Sequence, residues 1–465
     1  MPVQARQSSD TSAAWSHLYN DPVSSFYVEN FGCRATQADG AAIERQLADK
    51  GLVRADDSTA AEVVVLNTCT VTASADQDAR ATIRRIHRQN PEARILVTGC
   101  YAQRAPAEIA VLPGVSLVVG NSHKHQLAEL ALPSATAFVP LAQLQDAHGA
   151  PAVVGDVFAH TELMAAPVFD SNHEKTRPNL KVQDGCNNRC SFCIIPYVRG
   201  RSRSLRLDEV IGNVDRLVAN GYREIVLSGI NLGRWGREWA SEKRYRFADL
   251  LRAILDRTSI ARLRISSVEP MDWSDELIAL VANSPRICRH AHVPLQSGSD
   301  RILRRMHRKY RPWHYEDRIM RIRAAMPTAA IGADVMVGFP TETDEDFEQT
   351  RAFVERLPFT YLHVFTYSSR PGTPSAEMPD QVPVHTARER NHILRELAAR
   401  KKREFQQQFV GKTLEAITLS NVVNGRTEAL TDNYQKLWLE GVHEANRSVV
   451  AAITGIEGEA LLGRV

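Results

Sequence analysis

The sequence predicts an α/β protein with three folded parts: an N-terminal parallel α/β domain, a central partial (β/α)6 barrel and a small C-terminal all-β barrel. Three observations support this prediction. Two series of short β-branched runs alternate with helix-like stretches, which is typical of parallel sheets. The last part of the chain contains only short strand-like runs and turns. The length of 465 residues is enough for about three domains.

Composition indicates where these parts begin and end. The first residues are rich in Ser, Ala and Asp, a later stretch is rich in Ala, Pro and Ser, and neither has clear periodicity. We therefore expect a flexible leader, an N-terminal domain, a linker, a central domain and a C-terminal domain. In that order they span 1–24, 25–135, 136–177, 178–404 and 405–465.

Overall composition excludes several classes of protein. Hydrophobic residues make up 43% of the chain and charged residues 24%, which excludes wholesale disorder. No long apolar run occurs and the N-terminus has no apolar signal core, so we expect a cytoplasmic protein that does not contact a membrane. In a reducing cytoplasm, seven cysteines favour metal binding, catalysis or simple burial over disulfides.

The N-terminal series predicts four parallel strands. Its β-branched runs are FYVEN, VVVLN, RILVTG and SLVVG, at 26–30, 63–67, 94–99 and 116–120. The stretches after the first and second runs have helical periodicity and end near Gly51 and Pro91, which are ordinary stop signals for a helix.

The central series predicts six parallel strands of an incomplete barrel, with helical crossovers between them. The strands are LKVQ, REIVLSG, LRISSV, HAHVPLQ, IGADVMVG and YLHVFTY, at 180–183, 223–229, 263–268, 290–296, 331–338 and 361–367. A basic helix follows. After Gly411 the runs LEAITLSN, TEALTDN, KLWLEG and SVVAAITGIEG predict the small β-barrel.

Three closely spaced cysteines follow the first strand of the central series. Cys186, Cys190 and Cys193 form a C-x3-C-x2-C pattern, which seven cysteines in 465 residues rarely produce by chance. Thiolates suit iron, and three of them on a four-iron cluster leave one iron open for a cofactor. The alternative is a structural zinc site completed by His290 or His292, although such sites normally have four clear protein ligands.

Three further cysteines follow successive strands of the N-terminal series. Cys33 and Cys69 come after FYVEN and VVVLN, and Cys100 comes at the end of RILVTG. Because the carboxyl ends of parallel strands face one crevice, we expect these thiols to meet and to hold a second cluster with an open iron. The alternative is three buried small apolar residues. Cys288 lies outside both groups and is expected to be buried and structural.

These cysteine patterns resemble a known enzyme family. The C-x3-C-x2-C pattern on a six-fold β/α domain is similar to the radical S-adenosylmethionine (SAM) superfamily. The added N-terminal cysteines resemble its methylthiotransferase family, and the resemblance runs from about residue 26 to the C-terminus. It implies two [4Fe–4S] clusters, one on each group of three cysteines, with SAM as cofactor and a TRAM-like C-terminal domain. One departure from the family's usual Gly-Cys-x-x-Asn is Thr36, and Asp39 stands where Glu is common.

The resemblance also implies a SAM pocket at the carboxyl ends of the central strands, where a β/α barrel places its functional groups. The candidate cofactor contacts are Gly229, Ser267, Glu269, Gln296, Ser297 and Gly338. The alternative is that they are turn residues and, for Glu269, a solvated carboxylate. No general acid or base is assigned.

Two runs of arginine predict contact with a polyanion. The first follows the central cysteines, and the second lies within 301–311, which contains no carboxylate. Because guanidinium groups bind phosphates, we expect RNA contacts at Arg199, Arg201, Arg203, Arg304, Arg305 and Arg308. The alternative is a solvated or acid-paired surface. The C-terminal module is net acidic, so we expect it to contact RNA by stacking, through Tyr434 or Trp438.

Three branches of the methylthiotransferase family are plausible. One modifies N6-threonylcarbamoyladenosine beside the tRNA anticodon, one modifies N6-isopentenyladenosine there, and one modifies an aspartate of a ribosomal protein. The sequence most resembles the first, in 194–204, 227–233, 264–270 and 430–434.

The resemblance to that branch implies radical methylthiolation of adenine C2 at position 37, in the tRNA anticodon stem-loop. The other partners it implies are a low-potential electron donor and a sulfur source. Radical chemistry is required because no side-chain base removes an aromatic C–H proton near neutral pH. The alternative from another class is an iron–sulfur electron carrier or RNA-binding sensor, which would need no SAM pocket.

Overall fold

A computed structural model describes residues 25–132, 149–159, 163, 176–239 and 245–465. The predicted leader lies outside the described residues, as does most of the predicted linker. The described residues form the predicted parts in the predicted order: a parallel α/β sheet, a partial β/α barrel and a closed β-barrel. Within the described ranges, no helix is both long enough and apolar enough to cross a membrane.

The N-terminal domain is a six-stranded parallel sheet of order β2-β1-β3-β4-β5-β6. Its strands are β1 (Ser25–Asn30), β2 (Val53–Arg54), β3 (Val63–Thr68), β4 (Arg94–Gly99), β5 (Val115–Gly120) and β6 (Ala152–Val153). Its helices are α1 (Arg34–Asp49), α2 (Ala73–Gln89), α3 (Cys100–Arg104), α4 (Pro106–Ala110) and α5 (Leu127–Ala131). Strand β3 is apolar over successive residues because each face is covered: Val64 packs in one hydrophobic cluster and Val65 in another.

The four predicted strands of this sheet are confirmed, but two edge strands are additional. Strand β6 pairs with β5 and lies inside the segment predicted as a linker. The N-terminal domain therefore extends beyond the predicted boundary at residue 135. Two-residue strands such as β2 and β6 are too short to give a recognisable alternation of apolar and polar residues.

The central domain is a partial barrel of six parallel strands. The six parallel strands are β7 (Asn179–Asp184), β9 (Glu224–Gly229), β10 (Arg262–Ile265), β11 (His290–His292), β12 (Ala330–Val337) and β13 (Tyr361–Thr366), and β8 (Arg203–Ser204) is a short additional strand. Strands β10, β9 and β7 form one parallel sheet with the short antiparallel β8 at its edge, and β11, β12 and β13 form another. Parallel bridges Leu263–Ile287 and Ser267–His292 connect the two sheets.

Eight helices lie in the described residues of this central part. They are α6 (Ile195–Arg199), α7 (Leu207–Ala219), α8 (Phe247–Arg257), α9 (Asp275–Asn283), α10 (Asp300–Arg305), α11 (Pro312–Ala325), α12 (Asp344–Arg356) and α13 (Val384–Gln407). Alternate residues of β9 show why the strands form a barrel wall. Ile225 and Leu227 belong to the main hydrophobic core, whereas Glu224 forms buried ion pairs inside the barrel. The lumen is thus partly polar, as a ligand chamber requires.

The C-terminal domain is a closed five-stranded barrel of order β14-β15-β16-β18-β17. The strands are β14 (Thr413–Val423), β15 (Arg426–Thr431), β16 (Lys436–Glu440), β17 (Ser448–Glu457) and β18 (Ala460–Arg464). The all-β prediction is confirmed. Its core also includes Phe405 from α13 and the following Phe409, so α13 runs continuously across the predicted boundary at residue 404.

A loop of the C-terminal barrel packs against the amino ends of the central strands. Arg264 donates hydrogen bonds to the carbonyl oxygens of Thr431 (3.0 Å) and Asp432 (3.2 Å). The ring of Tyr434 lies 4.4 Å from that of His290, centroid to centroid. The Tyr434 ring thus packs against the central domain, and its stacking on RNA stays a prediction.

Candidate functional site: two cysteine groups bordering one chamber

The N-terminal cysteines lie at the carboxyl ends of neighbouring strands, as predicted. Cys33 precedes α1, Cys69 follows β3 and Cys100 begins α3. Gly32, with φ +88°, lets the loop after β1 approach the loop after β3 closely, since a Cβ built at this position would lie 2.8 Å from the Cys69 sulfur. The turn after β1 is therefore held against Cys69.

Close backbone contact also brings Cys69 and Cys100 together. A Cβ at Gly99 would lie 2.3 Å from the Thr68 carbonyl oxygen, so only glycine fits where β4 ends beside β3. Burial, together with the neighbouring Cys100 and Cys33, raises the pKa of the Cys69 thiol to about 12. The thiol is neutral without metal, and metal binding would release its proton.

The central cysteines occupy the loop between β7 and α6. The Cys186 sulfur accepts hydrogen bonds from the Asn188 backbone N–H (3.4 Å) and from the Asn231 amide (3.6 Å). Burial, together with the neighbouring Cys190, raises the pKa of the Cys193 thiol to about 12. These thiols lie close to one another in a partly buried loop that offers N–H hydrogen-bond donors to sulfur.

The spacing of the thiols does not support a zinc site. Ligands of one zinc ion, at about 2.3 Å from the metal, lie within about 4 Å of each other. Among the described residues, which include all seven cysteines, none belongs to a group of three ligating atoms within 4.8 Å. The imidazoles of His290 and His292 instead hydrogen-bond to the Tyr361 hydroxyl, at 2.7 and 2.9 Å. Wider spacing suits a multi-iron cluster.

The two cysteine groups border a shared chamber. Cys100 packs against Ile194 and Val198, in the segment that follows Cys193 directly. The Asn121 amide donates both to the Cys100 sulfur (3.6 Å) and to the Val198 carbonyl oxygen (2.8 Å). The N-terminal domain therefore places its cysteines beside the central loop.

A buried ionic network fixes this arrangement. Asp39 on α1 is ion-paired with Lys124 (3.0 Å), Arg199 (3.0 Å) and Lys181, and Asp184 is ion-paired with Lys181 (2.9 Å) and Arg199 (3.0 Å). Each side chain is at most 8% exposed. Burial alone would raise the pKa of Asp39, but its three cationic partners lower it to about 2. Arg199 joins the domains, so its prediction as an RNA contact is wrong.

The remaining predicted RNA contacts differ in how exposed their side chains are. Arg308 is 7% exposed and donates to the Cys190 sulfur (3.2 Å) and to Glu269, so its prediction as an RNA contact is also wrong. Arg203 is half-buried and donates to backbone carbonyls of its own loop. The side chains that remain available as predicted RNA contacts are Arg201, Arg304 and Arg305, of which Arg304 is paired with Asp300.

Buried polar atoms without partners indicate that the chamber fits SAM. The Ser228 hydroxyl, the Asn231 amide oxygen and the Gln296 amide oxygen are buried and have no hydrogen-bond partner among the described residues. Such atoms are costly unless a polar ligand satisfies them. Gln296 was among the predicted cofactor contacts, whereas Ser228 and Asn231 were missed. The available signal was their position at the end of β9, within LSGINLG.

Not all of the predicted SAM contacts face this chamber. Ser297 is fully buried and its hydroxyl hydrogen-bonds to Thr350 on α12 (3.2 Å), so its prediction as a cofactor contact is wrong. A Cβ built at Gly338 would contact Ala387 of α13 at 2.5 Å. Gly229 lies against Gln183, a neighbour of the cysteine loop. Contact with SAM stays a prediction for Gly338, Gly229, Ser267 and Glu269.

Arg308 should tune the electron affinity of the central cluster. Its guanidinium group donates to the Cys190 sulfur and carries a positive charge that stabilises the more negative, reduced state of a bound cluster. We expect Arg308→Gln to lower the reduction potential by about 50–100 mV. The measurement is a redox titration followed by electron paramagnetic resonance, with exposed Arg305→Gln as the control. Equal potentials in wild type and Arg308→Gln would contradict this role.

Two family models match the chain. The "Radical SAM superfamily" matches residues 180–354, which span strands β7 to β12 and most of α12. The "Uncharacterized protein family UPF0004" matches residues 25–120, which span strands β1 to β5. Each matched region contains one of the two cysteine groups.

Curated relatives match nearly the whole chain. The threonylcarbamoyladenosine tRNA methylthiotransferase MtaB of Bacillus subtilis is 39% identical, covering 90% of this chain and 91% of the relative. The same-named protein of Aquifex aeolicus is 37% identical, covering 90% and 98%. The tRNA-2-methylthio-N(6)-dimethylallyladenosine synthase of Desulforamulus reducens is 33% identical, covering 88% and 86%.

A solved structure supports the fold. The radical SAM methyltransferase TsrM of Kitasatospora setae, with cobalamin and a [4Fe–4S] cluster bound, superimposes with a TM-score of 0.57 at 19% identity. The match covers 76% of this chain and 77% of that one. At this identity the similarity concerns the fold alone.

Proposed function

The chain belongs to the methylthiotransferase family of radical SAM enzymes, and from that membership we propose that it methylthiolates carbon 2 of N6-threonylcarbamoyladenosine in tRNA. The product is 2-methylthio-N6-threonylcarbamoyladenosine. The single observation that carries the proposal is the convergence of two cysteine groups on one chamber, through the contact of Cys100 with Ile194 and Val198. A transfer between two clusters needs this proximity.

The protein is a transferase that uses SAM and two [4Fe–4S] clusters. When bound, these groups supply the one-electron cleavage of SAM and the sulfur atom to be transferred. We assign Cys186, Cys190 and Cys193 to the cluster that binds SAM. The second cluster, which carries the sulfur, is assigned to Cys33, Cys69 and Cys100.

The chain's own residues position the reactants and exclude water. SAM can be oriented by hydrogen bonds to the unpaired polar atoms of Ser228, Asn231 and Gln296. Helix α1 of the N-terminal domain packs on the inner side of β7, where the Asn179 amide donates to the Arg34 carbonyl oxygen (2.7 Å). Exclusion of water protects a reactive radical from side reactions with solvent.

The substrate is tRNA, and a one-electron donor must reduce the central cluster. We propose that the enzyme acts at position 37 in the anticodon stem-loop, because a loop nucleotide leaves its stack at little energetic cost. An external sulfur source would renew the N-terminal cluster. A tRNA substrate and six reduced thiols favour a cytoplasmic location.

Two other functions are less well supported. Relatives of the isopentenyl type are 32–37% identical, which overlaps the 33–39% of the threonylcarbamoyl type, so this branch stays the nearest alternative. An electron carrier would not need the buried partnerless atoms of Ser228, Asn231 and Gln296.

Nucleoside analysis tests the proposed function. Deleting the gene should remove 2-methylthio-N6-threonylcarbamoyladenosine from total tRNA and leave N6-threonylcarbamoyladenosine in its place. Liquid chromatography with mass spectrometry measures both, and a plasmid copy of the gene should restore the product. Loss of the isopentenyl-type product alone would contradict the proposal and identify the other branch.

A further inference from the structure

A pocket of about 530 Å³ opens beside the amino end of β13, between α13 and the C-terminal barrel. Tyr361 and His363 form its wall toward the barrel lumen. The Tyr361 hydroxyl reaches His290 and His292 on β11, so its ring crosses the inner face of the sheet. The pocket therefore lies at the inner face of β13, the edge strand of its sheet, and opens to the surface.

The pocket carries a marked excess of positive charge. Four cationic side chains line it, and Glu459 is its one acidic lining residue among the described ones. Glu459 is itself hydrogen-bonded to Lys402 at 2.7 Å. The cationic residues are Arg177, Arg395, Lys402 and Lys436. Such a pocket favours an anion.

Arg177 at the inner end is only weakly paired. Its guanidinium nitrogen lies 3.7 Å from the Glu224 carboxylate, whereas Arg264 binds the same carboxylate at 2.8 Å. Burial lowers the pKa of Arg177, and the positive charges of Arg264 and Arg34 lower it further, against the effect of Glu224. Arg262 lies 3.8 Å from the same carboxylate, so three guanidinium groups share it, and an incoming anion would relieve their mutual repulsion.

Arg34 supplies charge from the N-terminal domain. It is the first residue of α1, directly after Cys33, and its carbonyl oxygen is held by Asn179 of β7. Among the described residues, no carboxylate lies within ion-pair distance of its side chain. Its positive charge lowers the pKa of Tyr361 and of Arg177, two residues that line the pocket.

His363 contributes to the pocket wall an imidazole whose orientation is fixed by Asp334. Its Nδ1 atom lies 3.3 Å from one oxygen of Asp334, whose other oxygen lies 3.1 Å from Nε2 of His292. The His363 side chain is 61% exposed, so its second ring nitrogen remains accessible to a ligand. Asp334 is thus held by two imidazoles and orients the His363 ring.

We propose that Arg177 and His363, with the positive charge of Arg34 acting on the same pocket, bind the carboxylate of the N6-threonylcarbamoyl group and thereby select this nucleoside. The inference rests on the proposed function and deepens it. The threonylcarbamoyl group ends in a carboxylate and a hydroxyl, whereas the isopentenyl group is apolar, so only the first satisfies a cationic pocket. C2 and the carbon that carries N6 flank N1 on one edge of adenine and their outward bonds diverge, so C2 can face the clusters while the N6 group enters the pocket.

Equilibrium binding to the reconstituted holoenzyme tests the proposal. The probes are anticodon stem-loops of one sequence carrying N6-threonylcarbamoyladenosine, its neutral methyl amide, or unmodified adenosine at position 37. Wild type should bind the carboxylate loop about tenfold more tightly than the amide loop. Arg177→Gln and Arg34→Gln should each bring this ratio close to one, and Arg177→Lys should restore much of it.

A matched charge change elsewhere serves as the control. Arg84 is exposed on α2, so Arg84→Gln should keep the wild-type ratio. An unchanged ratio in both pocket variants would overturn the proposal. If the pocket variants bound all three loops more weakly by the same factor, the proposal would also be overturned, because the pocket would then bind a backbone phosphodiester. Loss of the methylthiolated product in nucleoside analysis reports on the proposed function separately, since the binding ratio needs no turnover.

Discussion

Cys190→Ala should abolish formation of 5′-deoxyadenosine, whereas Cys69→Ala should retain it and lose methylthiolation. The physical reason is the separate location of the two thiols: Cys190 belongs to the loop after β7, and Cys69 to the N-terminal sheet. Each loss should exceed about a hundredfold, because removing a ligand is more severe than removing its hydrogen-bond partner. The measurement is anaerobic reconstitution with iron and sulfide, followed by reduction with SAM and tRNA present.

Cys288→Ala is the matched control for these variants. Cys288 is 2% exposed beside Glu224 and lies in neither cysteine group, as the sequence predicted. Its loss should leave both products near their wild-type amounts. Equal loss of both products in Cys69→Ala and Cys190→Ala would contradict the division of labour between the two groups.

Arg199→Gln should strongly destabilise the junction between the N-terminal and central domains. The guanidinium group of Arg199 bridges Asp39 of α1 and Asp184 of β7, and all three side chains are buried. Removing one member of a buried ion-pair network leaves uncompensated charge, at a cost of about 3 kcal/mol. We expect the midpoint of urea unfolding to fall by roughly 1 M.

Arg201→Gln provides the control two residues away. Arg201 is exposed, so the same loss of charge there should change the free energy of unfolding by less than about 0.5 kcal/mol. Similar urea midpoints for Arg199→Gln and Arg201→Gln would contradict the structural role of the network.

The fold and the cysteine groups were predictable because their signals are local. Strands such as Arg94–Gly99 are visible as apolar runs, and parallel strands necessarily bring their carboxyl ends to one edge. Cys33, Cys69 and Cys100 could therefore be grouped without knowing any distance. Two-residue strands such as Ala152–Val153 give no comparable signal.

The roles of the buried charges were not predictable, because their partners come from distant parts of the chain. Arg199 stands in a basic run, and nothing near it in sequence shows that Asp39, 160 residues away, will neutralise it. Arg308 likewise forms an ion pair with Glu269, which follows a different strand. Asp39 stood out only as a departure from the family's usual residue, yet it is the centre of the network.

Tyr434 shows the same limitation for aromatic residues. A tyrosine in a small β-barrel suggests base stacking, but the loop that carries it packs on the amino ends of the central strands, against His290. Domain packing, which no local pattern reveals, decides whether such a ring is available to RNA.

The iron content of the anaerobically reconstituted protein tests the central claim most directly. Two groups of three cysteines, each holding a four-iron cluster, predict about eight iron atoms per chain. Replacing all three cysteines of either group by alanine should leave about four. A wild-type protein with about four iron atoms per chain would contradict the claim that both groups hold clusters.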